Sequence, residues 1–277
     1  MRLRPSRIED VPIRELSGLG LDGSAGWPPQ LLAIGDRKSL LARAVLTDAP
    51  LEWSELDLGR AGVARGRAQL EGVAVAGDGT ILVLREDPPM VLAFDPAGIR
   101  AERTRLVAGE RGVVSEVLDE SSSSGEGLLP LRDGRLLIAK EKSPPLLVEF
   151  GPPDADPSGV AVDSFPTAGE RLDAAGDRLQ ALAAWRLAGV DDISDVACAG
   201  GHLYCLSDRS RRVVVVDLPL EPGSERARVG ERWDLEVPER RGEPDGKPEG
   251  LVVRADGTLV VGLDTETASA NLCWFQP

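Results

Sequence analysis

Acidic side chains recur in this 277-residue chain as pairs of nearly constant separation. Glu71 pairs with Glu86, Glu126 with Glu141, Asp195 with Asp208 and Glu249 with Asp264, at separations of 15, 15, 13 and 15 residues. Near the middle of each interval lies a glycine-containing turn: AGDGT, LRDGR, AGGHL and RADGT. A chain that runs out, turns and returns antiparallel brings the two ends of such an interval side by side. Each pair therefore marks the open end of a hairpin. An earlier copy pairs Ser17 with Asp36. Arranged about one axis, these hairpins give an inner ring (Ser17, Glu71, Glu126, Asp195, Glu249) and an outer ring (Asp36, Glu86, Glu141, Asp208, Asp264) at the same mouth.

Carboxylates so crowded cannot all ionise without a counter-charge, so either their pKa values rise or a cation sits among them. Oxygen ligands of this kind suit a hard cation, Ca²⁺ first and Mg²⁺ second, held by the inner ring. The alternative is that the acids accept hydrogen bonds from backbone N–H groups of neighbouring hairpins. In the outer ring, Glu86 and Glu141 are candidates to activate a water molecule as general bases. Only four of the 32 basic residues are lysines, namely Lys38, Lys140, Lys142 and Lys247, and all four lie beside the acids in sequence. With Asp36, Asp208 and Asp264 they form the candidate substrate-binding set, suited to a small anionic molecule bridging metal and ammonium. Ordinary ion pairing with adjacent acids is the competing account of the lysines. Two loops, residues 109–125 and 238–247, are expected to overhang this mouth as candidate lids.

The elements that must hold these residues are repeats. LEGVAVAGDGTILVLRED from Leu70, GEGLLPLRDGRLLIAKEK from Gly125, ISDVACAGGHLYCLSDRS from Ile193 and PEGLVVRADGTLVVGLDT from Pro248 align, with a looser copy from Leu16. The inner-ring positions are spaced 54, 55, 69 and 54 residues apart, the length of a four-stranded propeller blade. The long interval holds an insertion over residues 152–178. A third strand follows each hairpin (from Ser39, Pro89, Pro145, Val213 and Asn271), and a fourth shows at Glu52, Ala183 and Arg232. Trp53, Trp185 and Trp233 recur in that fourth strand and are expected to pack between blades. The last copy ends with three strands, so the segment from Arg7 to Glu15 is expected to supply the fourth and close the ring. The predicted fold is all-β: a single five-bladed β-propeller domain over residues 1–277, with six blades as the alternative.

Composition narrows the function classes. A net charge of −14 argues against nucleic acid, which needs a cationic face. No apolar run approaches the roughly 18 residues of a membrane span, and the first residues lack the apolar core of a signal peptide. A cytoplasmic monomer without membrane or nucleic-acid partners is the expectation. Cys198, Cys205 and Cys273 have neither zinc-like spacing nor a disulfide framework, though the first two flank one tight turn. The single histidine, His202, leaves no room for a Ser–His–Asp triad or a multi-histidine metal centre.

The motifs ELSGL, LEGVA, SGEGLL, LSDRS and KPEGL together resemble the SdiA-regulated and phytase-like esterase propellers over nearly the whole chain. The order Ser, Glu, Glu, Ser/Asp, Glu at successive blade starts is also similar to the calcium ring of soluble calcium-activated nucleotidases (apyrases), which are five-bladed. This resemblance implies Ca²⁺ ligation by Ser17, Glu71, Glu126, Ser194 or Asp195, and Glu249. The apyrases' aromatic substrate motifs are absent, since the chain has one tyrosine, Tyr204. Two functions follow: a Ca²⁺-dependent hydrolase of a phosphorylated or ester small molecule at the channel mouth, or a non-catalytic ligand- or protein-binding propeller with a structural ion.

Overall fold

Most strands in this chain are short apolar runs with little polar alternation, such as ILVLR, RLLIAK and LVVGLD, which is the signature of strands buried on both faces. In the computed structural model these runs build five four-stranded antiparallel units among the described residues, which are all but 25, 62–67, 110–116, 118–124, 143, 173–175, 241, 242, 245 and 266. The first unit comprises Leu16–Asp22, Gln30–Gly35, Leu40–Val45 and Ser54–Asp57. The second comprises Leu70–Val75, Ile81–Arg85, Met90–Phe94 and Ala101–Val107. Gly127–Leu131, Arg135–Lys140, Leu146–Gly151 and Arg178–Leu187 form the third. The fourth takes Asp195–Ala199, His202–Ser207, Arg212–Val216 and Val229–Leu235. Lys247–Val253, Leu259–Asp264 and Leu272–Phe275 begin the fifth.

Pro5–Glu9 completes that fifth unit by pairing antiparallel with Leu272–Phe275. The expected N-terminal outer strand is thus present, starting two residues earlier and ending well before Glu15. Arg7 stacks on the Trp274 ring at 4.4 Å. The Asn271 side chain accepts from Val11 N and donates to the Val11 and Ile13 carbonyls. Arg2–Leu3 goes further and pairs with the outer strand of the fourth unit, so the first nine residues bridge two units.

Successive residues of a strand face opposite sides of its sheet, and here each side meets a different neighbour. Ile81 and Val83 pack with Leu32, Ile34 and Leu41 of the first unit, while Leu82 and Leu84 pack with Leu136 and Ile138 of the third. Five apolar layers result, one between each pair of adjacent units. The fifth, with Val252, Val260 and Trp274 against Leu16, Leu19 and Leu31, returns to the start. Trp185 is fully buried in one layer and donates from Nε1 to the Glu221 carbonyl at 2.8 Å. Trp233 stacks on Tyr204 and Trp53 packs at the edge of the closing layer. The outer strand of the second unit, Ala101–Val107, was not among those visible in the repeat pattern. It also runs parallel to the start of Arg178–Leu187, joining the second and third units. Cys198 stands opposite Leu203 and Cys205 opposite Val196, so the two thiols do not face each other, and all three cysteines are free.

Deleting residues 1–14 removes a whole strand, the Asn271 partners and part of the closing layer. The truncated chain is expected to lose its cooperative thermal transition by circular dichroism, whereas an unchanged melt would contradict closure by the N-terminus.

Candidate functional site: an acidic axial mouth

Each inner strand begins with an irregularity in its pairing with the second strand. The register shifts between Leu16 and Gly18, between Leu70 and Gly72 and between Pro248 and Gly250, which leaves Ser17, Glu71 and Glu249 as the extra residues of β-bulges. In the third unit Glu126 N and Gly127 share Ala139 as their partner. In the fourth, Ser194 N and Asp195 share Leu206. A bulge re-aims one side chain and tightens the local twist.

This geometry corrects the alignment of the fourth copy. The residue equivalent to Ser17, Glu71, Glu126 and Glu249 is Ser194, and Asp195 takes the place of Gly18, Gly72, Gly127 and Gly250. Ser194 is buried and donates to the Pro248 carbonyl at 2.7 Å. Asp195 is 2% exposed, and its carboxylate accepts from Val196 N at 2.7 Å and from Leu251 N of the next unit at 2.6 Å. It also accepts from Leu19 N of the first unit. Asp195 is thus an axial tie between three units, the hydrogen-bonding role weighed above as the alternative to metal ligation. Ser17 likewise donates to the Glu15 carbonyl, at 3.3 Å.

The glutamates do converge. Burial drives the Glu126 carboxyl well above its usual pKa, and the charges of Glu71, Glu249, Glu141 and Glu86 add to the rise. Glu126 keeps partial contact with water, yet it lies at the floor of the mouth, where surrounding protein dominates its environment. Glu249 is raised in the same sense, by burial first and then by Asp208, Asp264 and Glu71, with Lys247 opposing. Asp208 rises through burial, with Asp192 adding to the effect, and Asp264 through burial, with Glu15 and Asp36 adding. Lys247 opposes both, with Arg211 acting on Asp208 and Arg37 on Asp264 in the same sense. The outer residue Glu141 holds Lys142 at 2.5 Å. Lys38 is exposed. Lys140 differs from the expected substrate anchor. It is 1% exposed and its Nζ donates to the Lys142 carbonyl at 2.5 Å, which places it within the fold. The candidate lid over residues 109–125 lies largely outside the described residues, whereas in the loop 238–247 Glu239–Arg240 pairs antiparallel with Glu243–Pro244.

Two acids of the mouth escaped the sequence pattern, Glu15 and Asp192. Asp192 is buried and accepts from the Ser207 hydroxyl and Arg209 N; Glu15 is paired with Arg37. Both stand two residues before a ring serine, Ser17 and Ser194. Where the ring residue is Glu, that earlier position holds Gln69, Ser124 or Lys247. The units with a ring serine thus carry their acid one step outward, a signal present in the sequence once the fourth copy is aligned correctly.

Counting on by two along each inner strand gives the channel wall. Leu19, Val73, Leu128, Val196 and Leu251 form an apolar tier directly behind the ring, and Leu21, Val75, Pro130, Cys198 and Val253 form the next. These two tiers line an open cavity of about 390 Å³ at the end of the channel away from the acids.

The donors fit a hard cation in kind: three glutamates, two serine hydroxyls and backbone carbonyls. Among the described residues, however, no three His, Cys, Asp or Glu side chains stand at the spacing of a metal site. Glu71, Glu126 and Glu249 would have to re-aim to share an ion, and Asp195 is already committed to backbone N–H groups.

No protein-family model matches the chain, and no curated protein matches it by sequence. Solved structures do resemble it in shape. Glutaminyl cyclase of Myxococcus xanthus aligns with a TM-score of 0.55 and 16% identity over 99% of this chain and 97% of that one. The PQQ-bound aldose sugar dehydrogenase of Streptomyces coelicolor aligns at 0.49 and 12%, over 99% and 97%. Virginiamycin B lyase of Staphylococcus aureus aligns at 0.42 and 9%, over 91% and 65%. These neighbours are β-propeller-like enzymes. The likeness to the first, at this identity, establishes a β-propeller-like all-β fold and nothing of the chemistry.

Carboxyls whose folded pKa is raised make the native state bind more protons than the unfolded chain in the interval above the ordinary carboxylate pKa of about 4.3. Glu126, Glu249, Asp195, Asp208 and Asp264 all shift this way. Their contribution is full below the unfolded pKa and is lost as pH rises through the folded values. In EDTA, chemical denaturation between pH 4.5 and 8 (about the span from the ordinary carboxylate pKa to neutrality) should show stability falling with pH, with a smaller slope for Glu126→Gln. Stability that climbs across this interval would contradict the cluster.

Proposed function

We propose that the chain is a five-bladed β-propeller whose acidic mouth hydrolyses a small phosphorylated or ester substrate with the help of a divalent cation, Ca²⁺ before Mg²⁺. The observation that carries the reading is the convergence of Glu71, Glu126 and Glu249 with Glu86 and Glu141 at the closed end of one funnel. Such a cluster is costly to the fold at neutral pH unless it holds protons or a cation. The five four-stranded units and their five apolar layers support the blade count. The resemblance to the SdiA-regulated, phytase-like and apyrase propellers supports the same choice of ligands, with Ser194 taking the place of Asp195.

Glu71, Glu126 and Glu249, with Ser17 and Ser194, would hold the ion. When bound it would orient an anionic group and polarise the bond to be broken. Lys142 and Lys247 at the rim would bind the anion's remaining oxygens. Glu141, or Glu86 on the adjacent unit, would take the proton from the attacking water. Asp36, Asp208 and Asp264 would set the negative field around the entrance. One observation favours a second reading, a non-catalytic binding propeller. Asp195 already spends its carboxylate on backbone N–H groups, and ring glutamates that did likewise, or held protons, would need no ion.

Native mass spectrometry and metal analysis of the purified protein, followed by melting with Ca²⁺ or EDTA, separate the two. A ligand at a hundredfold excess over Kd adds about 2.7 kcal/mol, or roughly 5–10 °C at about 2–4 °C per kcal/mol for a chain of this size. Glu126→Gln should shrink the Ca²⁺ shift while raising the melting temperature in EDTA. On a phosphatase and esterase panel, Glu141→Gln should keep the Ca²⁺-induced melting shift and lower turnover by about 10²–10⁴. Identical melts with and without metal, and no turnover, favour the binding propeller.

A further inference from the structure

The channel has a second end, and its chemistry is the opposite of the acidic mouth's. We propose that the cavity of about 390 Å³ lined by the apolar tiers is a binding site for a neutral, apolar small molecule. It is separate from the acidic mouth and does not rest on the hydrolase reading.

Three observations point to that ligand class. First, none of the described residues lining the cavity is Asp, Glu, Lys, Arg or His, on a chain with a net charge of −14. Burying an unpaired charge there would go uncompensated, whereas an apolar molecule would exchange water for Leu21, Val75 and Val253. Second, the volume lies within the roughly 300–1,000 Å³ typical of small-molecule sites. Third, the cavity has a constructed wall. The long connection between Gly151 and Arg178 folds across this end and places Val162 and Phe165 on its rim. That segment is anchored at several points. Fully buried Glu149 accepts from Ser158 N at 3.1 Å and Gly159 N at 3.0 Å. Arg132 forks onto Glu170 at 2.8 and 3.0 Å. Gly169 N donates to the Gly77 carbonyl at 2.7 Å, and Val160 and Leu220 exchange backbone hydrogen bonds. These contacts tie it to the second, third and fourth units. The polar features among the lining side chains are the Thr167 hydroxyl and the half-buried thiol of Cys198. A thiol of this kind tolerates an apolar neighbour and also reports on it.

The test uses the full chain and N-phenyl-1-naphthylamine, a neutral apolar fluorophore. Saturable binding with one site per chain is expected, with the anionic 8-anilinonaphthalene-1-sulfonate at least about tenfold weaker. Cys198→Phe, which projects a ring into the cavity, should abolish binding, while Cys198→Ser and Glu126→Gln should keep it. In the unmodified protein a saturating amount of the probe should slow N-ethylmaleimide addition at Cys198 by about tenfold, read by peptide mass, because the bound probe would cover a thiol whose pKa burial already pushes up to about 11. That measurement decides the matter even if Cys198→Phe fails to fold. Absent saturation, equal affinity for the anionic dye, binding that survives in folded Cys198→Phe, or an unprotected Cys198 would each overturn the proposal.

Discussion

The structure depends on how closely five inner strands approach one axis. A side chain begun at Gly18 would place its Cβ 2.8 Å from the Glu71 carbonyl oxygen, and at Gly72 it would stand 2.8 Å from that of Glu126. At Gly127 it would meet the Asp195 carboxylate at 2.6 Å, and at Gly250 the side chain of Leu19 at 2.7 Å. Only glycine permits such contact. The fourth unit is the exception, because Asp195 inserts a carboxylate there and satisfies N–H groups of the fifth and first units. Close approach at this level brings the bulged residues just before it into one another's fields. The acidic cluster is a consequence of strand packing as much as of composition.

The axis is therefore stratified. A charged layer at one end is backed by an apolar tier of Leu19, Val73, Leu128, Val196 and Leu251, each buried, and that tier opens on its other side into a cavity lined by uncharged side chains. The tier keeps water from reaching the carboxyls from behind, which is why burial is the first cause of every raised pKa in the mouth. Relief comes from the rim, where Lys247 opposes the rise at Glu249, Asp208 and Asp264. Glu126 faces four other glutamates. Net repulsion of this kind is retained in a fold only where neighbouring packing outweighs it, and five interlocked apolar layers supply that packing.

Much of this was legible in the sequence because the repeat is carried by physics that leaves marks. Glycine turns, unbroken apolar runs and an acid at each hairpin's open end recur at nearly fixed spacing, and the N-terminal strand followed from the strand that the last copy lacks. The misalignment at Asp195 arose because an acid at a glycine position looks, in sequence, like the acid expected one residue earlier. Only the backbone pairing of Ser194 and Asp195 with Leu206 distinguishes them. Lys140 was misread for a similar reason: strand position puts it beside the mouth, but burial turns its ammonium onto the Lys142 carbonyl. The outer strand Ala101–Val107, AERTRLV, holds three charged residues and no tryptophan, so it carried none of the marks of its counterparts.

The central claim is that the inner-strand glutamates act as one electrostatic unit. Carboxyl ¹³C NMR titration of Glu126 in metal-free protein tests it most directly. The account predicts that Glu126 titrates well above the ordinary range near 4.3, and that Glu71→Gln, which removes the charge acting on it most strongly, moves it down. A Glu126 that titrates normally and ignores the loss of the Glu71 charge would contradict it.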